Sequence, residues 1–470
     1  MKKQPSEKES QKVSSYRDLA DHFTQNLAQQ NRTYASFLKG RKEGLQQITQ
    51  MIHLQLDLLE KGGYQATPKA QETVAKSVIW DEADLLEFAQ GSISKVFGPE
   101  FAEIDHYVPR VRLPMPPYLL VSRVTKLQAT PKLFEPSKVT TEYDIPVASW
   151  YSTDGRIPWC VAVESGQCDL LLISYLGIDF QNKGKRAYRL LDCTLTFMDD
   201  LPMEGETLRY EISIDSFTKN RKGEVLLFFF SYDCYVEDKL FLKMTGGCAS
   251  FSTPEELAAG KGFLYSKIQL QVKANAEKKS IQALLPCHKN RFSRLDLESM
   301  TRGDFRPFSP AHQLQHGNSS LVVEGGRMLM VDEILSVQPK AGAWGIGVIE
   351  ASFDLQPDAW YFPCHFKDDE VMAGSLMSEA CVQLLQFYLL YLGSHTSTRD
   401  AQFQPIPNLP QKVLCRGQVT PKDKQLIYRV EVREIVLENN PYAIADIEVW
   451  LEGRIVVLFE NLGVQLKEKN

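Results

Sequence analysis

The residues Trp360-Tyr361-Phe362-Pro363-Cys364-His365-Phe366 set an imidazole inside an aromatic, apolar run. Val371-Met372-Ala373-Gly374-Ser375-Leu376 follow, leading into an otherwise greasy helical stretch that carries Glu379 and Gln383. A histidine takes up and returns a proton near neutral pH. A glycine N–H at a helix start can donate to a ligand oxygen, and a carboxyl in apolar surroundings keeps its proton more readily. These are the parts needed to move a proton beside a carbonyl. No other of the eight histidines has such company. Cys364 adjoins His365, but neighbours on a strand point to opposite faces, so a thiol nucleophile is not expected there. Cys287-His288 reads as incidental. Gly345-Ile346-Gly347 lacks the rest of a dinucleotide fingerprint and reads as a strand irregularity.

The elements that must position these groups come in two copies. Leu119-Leu120-Val121-Ser122-Arg123-Val124 matches Leu329-Met330-Val331-Asp332-Glu333-Ile334 at an offset of 210. Tyr143-Asp144-Ile145 and Trp150-Tyr151 match Phe353-Asp354-Leu355 and Trp360-Tyr361 at the same offset. Asp84-Leu85 with Gly91 matches Asp296-Leu297 with Gly303, and Leu208 to Ile212 resembles Leu426 to Val430. The copies fill about 78–270 and 290–470, joined by 271–290. Each reads as a first strand (119–128 or 329–338), an extended segment ending at Trp-Tyr, then an apolar helix. The helices are expected at 161–176 and 375–392, each stopped by a glycine at the C′ position. Strands follow at 208–213, 225–235 and 239–251, and at 413–419, 426–436, 443–451 and 454–459. Alternation such as Arg429-Val430-Glu431-Val432 suits antiparallel sheet with one covered face. The fold class is therefore α+β, one helix wrapped by a curved antiparallel sheet, twice over.

Bulk properties exclude several classes of function. The chain of 470 residues is 43% apolar, enough for ordinary cores. A formal charge of -6 argues against a nucleic-acid partner. Nine cysteines without paired spacing argue against a zinc site or disulfide framework, and no cofactor or metal is expected. No apolar run reaches the length of a membrane span, and the polar start lacks a secretory signal. A cytoplasmic protein with reduced thiols is the expectation. Residues 1–15 read as a disordered tail, and Leu19 through Leu59 as an amphipathic helical extension ending near 62.

The segment from Trp360 to Phe366, then Asp369-Glu370-Val371-Met372-Ala373-Gly374-Ser375-Leu376 and Glu379, resembles the active-site segment of FabA-like β-hydroxyacyl-acyl-carrier-protein dehydratases. Trp80-Asp81-Glu82-Ala83-Asp84-Leu85-Leu86-Glu87-Phe88, Pro116 to Val124, and Pro158-Trp159-Cys160-Val161-Ala162-Val163-Glu164-Ser165-Gly166-Gln167 resemble the dehydratase region of polyunsaturated fatty acid synthases. The resemblance covers roughly 78–470 and implies a tandem double hotdog. It implies a hydro-lyase that converts (3R)-3-hydroxyacyl thioesters on an acyl carrier protein to trans-2-enoyl thioesters. Implied partners are that carrier and other synthase subunits, with a homodimer as a further expectation. Two rivals are a non-catalytic acyl-carrier-binding scaffold, and a hotdog thioesterase or isomerase.

Two departures bear on the site. The family's loop normally carries two prolines where this chain has Glu370 and Ala373, which loosens its preset φ angles. The first copy also lacks the histidine loop. Gln167 and Gly177 align with Gln383 and Gly393 at an offset of 216, so six extra residues surround His365, and Gly155 stands opposite it. One active site is expected. His365 would be the base, the Gly374 N–H would stabilise the carbonyl oxygen, and a carboxylic acid would protonate the departing hydroxyl. The acid is Glu164 or Glu379. Glu379 follows the motif in sequence, but in single-copy relatives the histidine works with the partner subunit's acid, which favours Glu164. Val371, Met372, Leu376 and Phe387 are the expected apolar surroundings. The basic cluster Asn182-Lys183-Gly184-Lys185-Arg186 with Arg189 reads as a solvated loop or a landing site for the acidic carrier.

Overall fold

The computed structural model describes residues 77–314, 318 and 320–469. The helical extension expected within 1–62, and the linker after it, lie outside the described residues.

Alternating burial builds the strands. In the strand Thr207–Lys219, Leu208, Tyr210, Ile212 and Ile214 are buried while the residues between them face outward, the period of a half-covered sheet. The first half contributes β1 (Arg123–Gln128), β2 (Ser137–Asp144), β3 (Ala187–Phe197), β4 (Thr207–Lys219), β5 (Val225–Val236) and β6 (Lys239–Ser252). The second contributes β7 (Glu333–Gln338), β8 (Val348–Asp354), β9 (Ala401–Pro405), β10 (Pro410–Cys415), β11 (Gln425–Val436), β12 (Tyr442–Leu451) and β13 (Arg454–Glu468). They form one sheet in the order β1-β2-β4-β5-β6-β3-β10-β13-β12-β11-β8-β7, with β9 also paired to β13. The order reads the same from either end once β7, β8, β11, β12, β13 and β10 are matched to β1, β2, β4, β5, β6 and β3. The halves meet where β3 and β10 pair antiparallel, Cys193 opposite Val413 and Thr196 opposite Pro410.

Each half wraps a buried helix, so the chain is α+β with a double-hotdog arrangement. In the second half the helix Gly374–Tyr391 is buried from Ser375 onward, as an all-round apolar helix must be. It stops at Gly393, whose φ is +82°. Its polar members are anchored: Gln383 donates to the Met328 carbonyl at 2.6 Å and accepts from the Met330 N–H at 2.9 Å.

The first half departs from the single helix expected over 161–176. It forms two pieces, Trp159–Glu164 and Asp169–Tyr175. The Tyr210 hydroxyl donates at 2.6 Å to the Ala162 carbonyl, which the Gly166 N–H would take in a continuous helix. Gly166 bonds instead to the Val163 carbonyl, and the Gln167 N–H to the Glu164 carbonyl at 2.9 Å. This tightened turn shortens the first helix by one residue, which is why the offset is 215 between Glu164 and Glu379 yet 216 between Gln167 and Gln383.

Other elements escaped the sequence pattern. The strand β3 was not anticipated: it begins at Ala187, directly after the basic cluster 182–186, and takes in Arg189. The connection between the halves lies along the second half: the Phe263 N–H donates to the Ile455 carbonyl at 2.7 Å, and Lys273 pairs with Glu431 at 2.9 Å. The strand expected to reach 419 ends at Cys415, and the Val419 carbonyl accepts from the Met372 N–H at 2.9 Å.

A Cβ added to Gly166 would lie 2.6 Å from the Tyr232 ring. Gly166→Ala should therefore destabilise the protein by about 1–3 kcal/mol, measurable as a lowered midpoint in chemical denaturation.

Candidate active site

His365 directly follows the helical turn Tyr361–Cys364, so the expectation that it shares a strand with Cys364 is corrected. The outcome for the thiol is nevertheless the same. The Cys364 Sγ donates back to the Tyr361 carbonyl at 3.4 Å, and burial pushes its pKa up to about 12. The imidazole Nδ1 lies 3.0 Å from the Val371 carbonyl. A carbonyl only accepts, so Nδ1 carries a proton, and Nε2 is left to meet what lies on the other side of the ring.

Nε2 is 3.5 Å from Oε1 of Glu164. Glu164 ends the first half's helix Trp159–Glu164 and is 8% exposed. Its Oε2 accepts from the Ser375 hydroxyl at 2.6 Å. That hydroxyl has given its only proton, so the Tyr118 hydroxyl, 3.0 Å away, donates to it in turn. Burial raises the Tyr118 pKa well above 10, which keeps it a donor. The carboxylate nearest His365 thus comes from the other half of the chain.

Glu379 lies elsewhere. It is fully buried, and its Oε2 accepts from the Cys160 N–H at 3.2 Å while Gln383 donates to Oε1 at 3.3 Å. Cys160 and Ser375 are the second residues of their helices, so each glutamate reaches the opposite helix at the equivalent place. Burial pushes the Glu379 carboxyl up to about 8, and nearby Glu324 adds to the shift. Glu324 is raised for the same first reason, with Arg156 opposing it.

His365, Glu164, Gly374 and Ser375 line a cavity of about 120 Å³. Gly374 opens the second half's helix, where amides have no intrahelical acceptor and the helix dipole is positive. A Cβ built there meets nothing within 4 Å, so this glycine leaves open space. Val371 and Met372 are among the apolar walls, as expected, with Val163, Leu170, Leu190 and Leu195. Leu376 and Phe387 are not. Phe387 packs 5.1 Å from Phe292 and 5.3 Å from Phe308, because a helix residue so far along faces its own half's core.

The histidine loop is tied to the first half at successive residues. Lys367 donates to the Gln90 carbonyl, Asp368 lies 4.0 Å from Arg112, and Asp369 receives both Arg189 terminal nitrogens at 2.6 and 2.8 Å. Arg189 also holds Gln418 at 2.7 Å, so the solvated-loop reading of that residue is corrected. A two-point guanidinium–carboxylate contact fixes orientation as well as distance. Tyr118, Ser375 and Asp369 were not singled out as functional from sequence. Ser375, next to Gly374, and Asp369, which opens the loop quoted for the resemblance, had signals that could have drawn attention. Among the described residues no cluster of His, Cys, Asp or Glu is placed to hold a metal ion, and no helix is long and apolar enough to cross a membrane.

Two sheet halves sharing one ladder, with a histidine from one facing a glutamate from the other, define a double hotdog carrying a FabA-like second half. Residues 323–460 match the FabA-like domain, so the resemblance read from Trp360 to Glu379 is borne out. Over 388 residues, 81% of this chain, the sequence is 45% identical to one of the polyunsaturated fatty acid synthase subunits of a Thraustochytrium species. The chain spans 26% of that relative's length. Among solved structures, the dehydratase domain from the CurJ module of curacin polyketide synthase is 8% identical with a TM-score of 0.40, covering 73% of this chain and 96% of that one. A putative oleoyl thioesterase from Lactobacillus plantarum is 7% identical with a TM-score of 0.38, covering 73% of this chain and 100% of that one.

The raised Glu379 pKa has a consequence for stability. The folded state holds this proton up to about pH 8, whereas an unfolded chain releases it near 4.5. Stability from this group is fully present below 4.5 and is lost as pH rises to about 8. Glu379→Gln should flatten that decline in thermal melts recorded between pH 5 and pH 8; an unchanged slope would contradict it.

Proposed function

We propose that this chain dehydrates 3-hydroxyacyl thioesters, delivered on an acyl carrier protein, to trans-2-enoyl thioesters within a polyunsaturated fatty acid or polyketide-type synthase. The observation that carries this reading is the 3.5 Å approach of His365 Nε2 to Glu164 Oε1 in an apolar cavity.

The chemistry follows from the parts. The proton on the carbon next to a thioester carbonyl is weakly acidic, so its removal needs a base and a way to bear charge on the carbonyl oxygen. His365 Nε2 takes that proton. The Gly374 N–H, at the positive end of its helix, donates to the carbonyl oxygen as enolate character grows. The bond from the β carbon to its hydroxyl then breaks, and Glu164, acting as the general acid, gives a proton to the leaving oxygen, which departs as water. His365 ends with one proton more and Glu164 with one fewer. At their separation the imidazolium can return the proton to the carboxylate once water has left. The Ser375 and Tyr118 hydroxyls hold Glu164 in place throughout.

In this reading Glu379 keeps its place at the first helix and does not touch substrate. The purified chain, given a 3-hydroxyacyl-carrier thioester, should release one water, seen as enoyl product by mass spectrometry. His365→Ala should abolish this, and Glu164→Gln should lower kcat by about 10²–10⁴-fold. Glu379→Gln should retain most turnover. Full activity in His365→Ala would sink the assignment, and loss confined to Glu379→Gln would transfer the acid role.

A further inference from the structure

The cavity has a direction. Arg189, Gly417 and Gln418 border both it and an outer basin of about 530 Å³, which marks the mouth. From Arg189 the wall runs along β3 through Leu190 and Cys193 to Leu195, and along β10 from Cys415 to Val413. Cys193 and Val413 are directly paired across the junction of the two halves. The six steps of strand from Arg189 to Leu195 cover roughly 20 Å. The reactive pair sits towards the mouth, because Asp369 of the histidine loop is clamped to Arg189.

Beyond Leu195, the next residue on the same face of β3 is Phe197, fully buried, and Trp159 meets it edge-on at 6.3 Å. Trp159 is 1% exposed and begins the first half's helix, as Gly374 begins the second's. The offset of 215 that relates Glu164 to Glu379 and Cys160 to Ser375 relates these two as well. Where the second half leaves open space at a glycine, the first half therefore places an indole. The helix side agrees with this depth. Met377 and Ser378 line the cavity, and the next residue, Glu379, touches Cys160 beside Trp159.

We infer that Trp159, backed by Phe197, is the stop at the inner end of the cavity and sets the longest acyl chain it accepts. This rests on the acyl reading of the cavity. It goes beyond the dehydration chemistry, because a stop of this kind would limit any linear apolar ligand.

The test is calorimetric titration of the full chain with S-alkyl pantetheine thioethers of increasing length, which cannot react. Affinity should rise about fourfold per methylene up to a break, beyond which added length brings no gain. Trp159→Ala should move the break to longer chains. Leu195→Phe, one step before the stop, should move it to shorter ones, and it decides the matter alone if Trp159→Ala does not fold. An unmoved break in the folded variants overturns the stop. Shifted breaks without any dehydration would sink the enzymatic reading and leave the stop standing; turnover with an unmoved break would do the reverse. No binding at any length by the native chain would overturn both.

Discussion

The backbone ladder between β3 and β10 is the contact on which the rest depends. Five residue pairs, from Pro410 opposite Thr196 to Leu414 opposite Asp192, turn two sheets into one. Because the pairing is antiparallel, the two halves are related by a pseudo-twofold, and the starts of their helices overlap. That overlap is what lets Glu164 reach Ser375 and Glu379 reach Cys160. Buried carboxyls far from a hydrogen-bond donor would be costly. Here each is met by a group from the first turn of the other helix.

The symmetry is kept in the frame and broken in the contents. Gly374 leaves a hollow where Trp159 fills one. A continuous helix in the second half faces a broken one in the first, with Tyr210 taking the Ala162 carbonyl at the break. His365 sits on a loop that is five residues longer than its counterpart, the offset rising from 210 at the Trp-Tyr pair to 215 at the helix starts, and is held at three successive residues by Gln90, Arg112 and Arg189. The two glutamates share a position but not a setting: Glu164 faces a histidine and a cavity, whereas Glu379 faces Glu324 and stays out of that cavity.

Much of this was legible in the residues. Alternation in β4 and β11, the glycine stops at 177 and 393, and the repeat at 210 were local signals, and they led to the sheet and the central helices. That Glu164 and not Glu379 lies beside His365 was legible only as a leaning, since it depended on which half faces which. The helix break was not legible, because Tyr210, which causes it, lies more than forty residues downstream. Arg189 looked like a loop residue because its neighbours are basic, while its partners Asp369 and Gln418 lie some two hundred residues away. Leu376 and Phe387 have the right chemistry for a cavity wall, and only the direction each faces on the helix excludes them.

The reciprocal reach of the glutamates also bears on how such a chain can be cut or recombined. Residues 323–460 contain the histidine, the glycine and a glutamate in a familiar order, and look self-sufficient as a module. The carboxylate that faces the histidine is not among them. An excised second half would keep every residue of its signature while exposing the β10 edge and leaving His365 opposite solvent. Any chimera that exchanges one half must therefore bring a neighbour whose strand edge and whose glutamate fit the half retained, so the pair is inherited as a unit.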